Sequence, residues 1–190
     1  MRKRAMLVVA TGLLALVAAG CGGKSTASGT QSAPAKTASP NAPEVSPAGD
    51  IPDNQAFVSY TPAGGSFSVK VPEGWAQTGS GAKTSFTDKL NSISIDTVAA
   101  RAALTVNQAK QSVAGSTVDV VRRSAGPAVR IKFLADSKPD PVTGKVTKDA
   151  IERYVFFHNG QRLVLTLSGP KGADNVDPWK IVTDSVRWTR

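Results

Sequence analysis

The stretch from Ile151 to Ser168 constrains the fold more than any other part of this chain. Asn159-Gly160 sits at its middle, and both residues tolerate positive φ, which the tightest hairpin turns require. A two-residue turn there pairs His158 with Gln161, and the register of the whole hairpin follows from that pair. Phe156 then faces Leu163, and Tyr154 faces Leu165, on one side. Val155 with Val164, and Phe157 with Arg162, fall on the other. Side chains alternate with period 2, so a slip of one residue would turn all of them over. Both faces carry apolar bulk, so the hairpin is expected in the middle of a sheet covered from both sides.

The same period recurs upstream. Phe67, Val69 and Val71 alternate with Ser66, Ser68 and Lys70 before a turn at Pro72-Glu73-Gly74 leads into Trp75. Ile93, Ile95 and Thr97 alternate with Ser94 and Asp96. Val118 and Val120 precede a turn at Ser124-Ala125-Gly126-Pro127, and Val129, Ile131 and Phe133 follow it. These are half-buried antiparallel strands. Two segments have helical signals instead. Thr105 with Gln108 forms a capping box ahead of Val106, Ala109 and Val113, and Gly115 stops that helix. A second helix is predicted from Asp177, with Pro178 at its first position, Val176 stapled onto Ile181, and Trp179, Val182 and Val186 on its apolar side. Ser185–Trp188 reads as a last short strand. The fold class is therefore α+β: a largely antiparallel sheet with helices on both faces, over residues 51–190. About 140 residues bury a sizeable core without metal or disulfide.

The N-terminus has a different character. Met1-Arg2-Lys3-Arg4 is a positive segment, Ala5–Ala19 is almost wholly apolar, and Ala18-Ala19-Gly20 are small residues before Cys21. That order is a secretory leader, too short for a comfortable membrane span. With its cysteine it resembles the lipobox of bacterial lipoproteins, with Ala18 where that family prefers Leu. The resemblance implies that residues 1–20 are cut away and that the Cys21 sulfur takes a diacylglycerol. It also explains a single cysteine in an exported chain, which can form no internal disulfide. Residues 21–50 are rich in Ser, Thr, Ala, Gly and Pro, with Val45 the one large apolar side chain. Such a composition cannot offset its ordering entropy, so a disordered tether is expected.

Tyr60-Thr61-Pro62 with Phe67-Ser68-Val69-Lys70-Val71-Pro72-Glu73-Gly74-Trp75 resembles the opening of PsbP-like domains and of actinobacterial LpqN/LpqT-type lipoproteins. The late hairpin and the closing Asp184-Ser185-Val186 are similar to the end of that group. The resemblance implies an α-β-α sandwich, shared with the Ran-binding import factors, and a role in binding or assembly more than in catalysis. It carries over no binding residue.

Catalytic motifs are absent from the sequence. His158 is the one histidine and lies against the hairpin turn, where a wet strand end is expected. There is no Gly-x-Ser-x-Gly elbow, no His-Glu-x-x-His and no phosphate loop, and no cofactor or metal is expected. Asp136, Asp140, Asp149 and Glu152 cluster around the loop Ser137–Lys148, but Lys138, Lys145 and Lys148 interleave with them, as on a solvated loop. Trp75 is expected to anchor the core.

The charge balance fits either an anionic partner or simply a soluble surface with a solvated sheet edge. The chain has 23 Lys+Arg against 14 Asp+Glu; without Arg2, Lys3 and Arg4 the count is 20 against 14, or +6. Arg122, Arg123, Arg130 and Lys132 sit at one hairpin, and alternation turns Arg123, Arg130 and Lys132 outward, a candidate contact for an anionic surface. The expected function is that of a non-enzymatic binding or assembly module, tethered by lipid to the extracytoplasmic face of the cell membrane. The alternatives are a lipid or glycolipid carrier, and a carboxylate hydrolase. Its partners would be the membrane, through the anchor, and an envelope protein, lipid or wall polymer; nucleic acid is not expected. Cys21→Ser should release the protein or leave it unprocessed. Detergent partitioning of cell fractions reads this, and a processed mutant that stays in the detergent phase would overturn the lipid anchor.

Overall fold

The computed structural model describes residues 48–140 and 142–189. The leader, Cys21 and the tether as far as residue 47 lie outside these. Among the described residues no helix is long and apolar enough to cross a membrane.

The elements run β1 (Phe57–Tyr60), β2 (Phe67–Pro72), β3 (Ala76–Ser80), β4 (Lys83–Asp88), β5 (Asn91–Ala99), α1 (Val106–Ser112), β6 (Thr117–Arg123), β7 (Gly126–Asp136), β8 (Lys148–His158), β9 (Gln161–Pro170), α2 (Val176–Asp184) and β10 (Arg187–Trp188). Seven strands form one antiparallel sheet in the order β3-β4-β5-β9-β8-β7-β6, and β1-β2-β10 form a second. The hairpin β8–β9 is central to the large sheet, and its register is the one its turn dictates: His158 opposite Gln161, Phe156 opposite Leu163, Tyr154 opposite Leu165. Asn159 and Gly160 have φ of 44° and 74°, the left-handed pair that a two-residue hairpin needs.

The register divides the large sheet into two faces. The first carries Phe86, Ile93, Ile95, Leu163, Leu165, Leu167, Tyr154 and Phe156, all buried. Phe67, Val69 and Val71 of β2 and Trp179, Val182 and Val186 of the C-terminal segment pack into the same core. On the second face α1 places the fully buried Ala109 against Val129 and Ile131, with Leu104, Val113, Val118 and Phe133 around them. Helices thus lie on both faces, and the domain is α+β. The cover of the second face is partial. Val164, Thr166 and Ser168 of β9 and Ser92, Ser94 and Asp96 of β5 are only half-buried, because a seven-residue helix spans β6 and β7 alone. The expectation of a hairpin covered on both sides therefore holds at Val155 of β8 and not along the rest of the second face of β8 and β9.

Both helices form, with one correction. Thr105 caps α1: its hydroxyl accepts from Gln108 N at 3.2 Å while Gln108 Oε1 accepts from Thr105 N at 3.0 Å. In α2 the predicted start at Asp177 gives way to Asn175 as N-cap, and the proposed staple is absent, since Val176 is 72% and Ile181 44% exposed. Asn175 does not cap its helix with its side chain. That amide is committed elsewhere: it accepts from Ile51 N at 2.8 Å and donates to Gly49 O at 3.1 Å and Asn91 Oδ1 at 3.0 Å. Asn91 in turn donates to Gly49 O at 2.9 Å. Gly49 and Asp50, which composition assigns to the tether, are therefore hydrogen-bonded into the domain.

β1, β3 and β4 carry little alternation of their own. β3 is exposed along its whole length and exists because β4 pairs with it. Trp75 is half-buried and packs against the core from its rim.

Gly169 faces the joined amides. A Cβ there would lie 2.5 Å from Asn91 Oδ1 and 2.8 Å from Asn175 Nδ2. Gly169→Ala should lower stability by about 1–3 kcal/mol through overpacking. Urea unfolding measures this, and an unchanged midpoint would mean that the amide pair is free to shift.

Candidate binding site

The basic residues singled out by charge occupy one face, as alternation requires, but it is the first face, beside the core. Arg130 Nη2 and Nε donate to Asp119 at 2.6 and 3.0 Å, and Arg130 Nη1 lies 4.0 Å from Glu152. The hydrogen bond from Arg130 holds the Asp119 carboxyl below its usual range, and the same bond raises the pKa of the guanidinium. Arg123 is half-buried, with Nε donating to Thr183 Oγ1 at 3.0 Å and lying 3.5 Å from Asp184. Its guanidinium stands 5.4 Å from the centre of the Tyr154 ring. Lys132 is exposed and pairs in register with Glu152. Of the three, only Lys132 points outward, and Asp119, Glu152 and Asp184 stand beside them in equal number.

Tyr154 links this network to the core. It is 2% exposed, and its hydroxyl donates to Glu152 Oε2 at 2.5 Å and accepts from Arg123 Nη2 at 3.4 Å. Burial, then the hydrogen bond to Glu152, raises the phenol pKa.

The carboxylates around the β7–β8 loop have separate tasks. Asp136 pairs with Lys148 at 2.6 Å. Asp149 accepts from Ser168 Oγ at 2.9 Å. Asp140 Oδ1 accepts from Thr143 N at 2.7 Å, Thr143 Oγ1 at 2.9 Å and Val142 N at 3.0 Å. Those bonds, Thr143 N first, hold its pKa below the ordinary carboxylate value and make a local turn. Among the described residues no group of three or more His, Cys, Asp or Glu is placed to hold a metal ion. His158 is half-buried and stacks on Trp188, with centroids 4.9 Å apart and planes at 18°.

The loop does build something that the residue pattern does not announce. Between it and the β4–β5 turn lies a groove of about 620 Å³. Leu90, Pro139, Ile151 and Pro170 supply apolar lining, and Ser92, Thr147 and Ser168 supply hydroxyls. Lys89, Lys138 and Lys145 also line it, and none has a carboxylate within ion-pair distance among the described residues; Asp136, Asp140 and Asp149 share the lining, engaged by Lys148, Thr143 and Ser168. Leu90 is 45% exposed at a turn held by Lys89 at φ 47°. On the other side of this turn a hollow of about 550 Å³ runs past Trp75 to Ile51 and Gln55. The groove falls within the usual size range of ligand sites, and its apolar lining with a few polar groups is their usual makeup. The one sequence signal for it is a leucine inside the polar turn Asp88–Asn91.

No protein-family model matches the chain, and no curated protein matches it. Among solved structures it is similar to a protein of Bacteroides thetaiotaomicron VPI-5482, at 13% identity and a TM-score of 0.51, over 70% of this chain and 48% of that one. That likeness is one of fold, and the matched region is less than half of the Bacteroides protein. Similarity also extends to the Saccharomyces cerevisiae Ran-binding protein Mog1p, at 10% identity and a TM-score of 0.47, over 70% of this chain and 96% of that one.

Tyr154→Phe should cost about 1–2 kcal/mol at neutral pH, the worth of a hydrogen bond to a charged acceptor. The native phenol pKa is raised, so its contribution is complete below the unfolded value near 10 and is lost as pH rises through the folded one. The stability gap between wild type and Tyr154→Phe should therefore narrow above about pH 10. Urea unfolding across that range is the measurement; a gap independent of pH would show that the phenol titrates as if exposed.

Proposed function

We propose that this protein is a non-enzymatic binding module of the cell envelope, held to the outer face of the membrane by lipid on Cys21, and that the groove beside Leu90 is where it binds. The single observation that carries the reading is the groove: apolar lining, hydroxyls, and three lysines without an acid at ion-pair distance among the described residues, while the aspartates of the lining are engaged by Lys148, Thr143 and Ser168. Such a site suits an amphipathic ligand with an anionic group. Apolar contact supplies most of the affinity, and the lysines orient the charged end. This is the chemistry of a lipid or glycolipid head region, or of an acylated segment of an envelope protein.

The core makes a surface groove the better location for a ligand than the sheet–helix interface. Leu163 and Leu165 have no exposed surface and Trp179 and Val182 close over that face, so the interior is filled with protein. The leader with Cys21, and the resemblance to LpqN/LpqT-type lipoproteins, support the envelope location. In this reading the clustered carboxylates serve the fold: Asp140 forms a turn, Asp136 and Asp149 tie strands, and Glu152 satisfies Tyr154.

Dodecyl phosphate is a suitable probe. The protein should bind it saturably, at least tenfold more weakly after Leu90→Glu, and more weakly after Lys138→Gln with Lys145→Gln, as followed by calorimetry. Leu90 is exposed, so its substitution should leave the unfolding midpoint in place. Binding that is indifferent to all three substitutions would remove the groove from consideration.

A further inference from the structure

The three arginines without acidic partners that gather at one place lie at the far end of the sheet from the groove. Arg122 of β6 and Arg162 of β9 both belong to the second face, at the end marked by the Asn159-Gly160 turn. Three strand spacings separate them, roughly 14 Å. Arg101 joins them from the loop after β5. Arg162 Nε donates to Ala102 O at 3.0 Å, and Ala100 N donates to Gly160 O at 2.8 Å, so the loop is tied down beside the turn. None of the three has a carboxylate within ion-pair distance among the described residues. The acids nearest in register are otherwise engaged: Asp96 pairs with Lys83, and Asp119 with Arg130 on the opposite face. Apolar side chains stand beside the arginines on the same face. Val98 is 55% and Val120 59% exposed, and Phe157 is half-exposed opposite Arg162.

We propose that this end of the second face docks on the surface of an anionic phospholipid bilayer. Guanidinium groups with no carboxylate partner among the described residues are complementary to lipid phosphates, which they can bind bidentately. The exposed valines select a bilayer over a hydrated wall polymer, since apolar groups gain by entering the headgroup boundary and gain nothing from a solvated chain. The opposite face offers no such patch, because Arg123 and Arg130 are paired there. The groove lies on the same face but at the other end of β9, apart from this patch.

The test uses the full chain carrying Cys21→Ser, so that leader and tether are the same in every variant. Binding is measured on phosphatidylcholine vesicles with and without phosphatidylglycerol. Preference for the anionic vesicles should fall about fivefold for each of Arg101→Gln, Arg122→Gln and Arg162→Gln, and roughly a hundredfold for the triple variant. It should also fall with salt. The charge-matched control Lys70→Gln, Lys171→Gln, Lys180→Gln removes three exposed lysines elsewhere and should change the preference less than threefold. Val98→Ser with Val120→Ser should weaken vesicle binding while leaving binding to soluble polyphosphate alone. Equal losses in the arginine and lysine triples would show that net charge acts and the patch does not. No effect of the valine substitutions would assign the arginines to a soluble polyanion, and either result overturns the proposal. Dodecyl phosphate binding in the arginine triple should be unchanged, so this inference and the groove fail independently.

Discussion

The register of β8–β9 is the constraint on which the rest of the structure depends. Two residues in the left-handed region close the hairpin, and each later pairing inherits its phase. Leu165 opposite Tyr154 places Ile95 on the same face through β5, and Arg130 on that face through β7. A shift of β9 by one residue would present Arg162, Val164 and Thr166 to β2 and α2, and would turn Leu163, Leu165 and Leu167 to the less covered face. The cost of exposing three leucines is about 5–9 kcal/mol, comparable with the whole stability of a domain. Alternative registers are thereby excluded, and the position of each charged side chain is settled along with the core.

A second joint closes the domain where strands alone would not. Gly49, Asn91, Gly169 and Asn175 come from the chain entry, the start of β5, the end of β9 and the start of α2. Asn91 and Asn175 are 6% and 3% exposed, so their amides must be satisfied inside, and each finds its partners in the other and in Gly49. Gly169 lets them approach because a side chain would occupy their place. The joint sits between the hollow near Ile51 and the groove near Leu90, and Asn91 lines both. The joint is thus at the end of the sheet that carries the groove.

Charge is distributed by pairing more than by count. The +6 balance suggests a basic surface, and the hairpin with Arg123, Arg130 and Lys132 is the natural place to seek it. In the folded domain that place is close to neutral, since the partially buried guanidiniums need acids nearby and Asp119, Glu152 and Asp184 supply them. Cations without an acid at ion-pair distance among the described residues include Lys89, Lys138 and Lys145 beside the groove and Arg101, Arg122 and Arg162 at the opposite end, with others scattered over the surface. The two proposed binding regions therefore lie at separate ends of one sheet.

What the sequence determined by itself was local: the turn at Asn159-Gly160, the pairings that radiate from it, the capping box at Thr105, and the apolar side of α2. Each rests on neighbours within a few positions, where the pattern of residue types is enough. Other features depended on residues far apart in the chain. β3 has no apolar period and is a strand only because β4 lends it hydrogen bonds. Asn175 looks like an ordinary helix start until Asn91, 84 positions away, claims its amide. Which arginines are free depends on which acids the register brings alongside, and alternation gives the face of a side chain without naming its neighbours. The groove has no motif because a turn and a loop form it jointly, roughly fifty positions apart. Only tertiary structure decided these, since contact between distant segments is set by the whole core and by no single window of sequence.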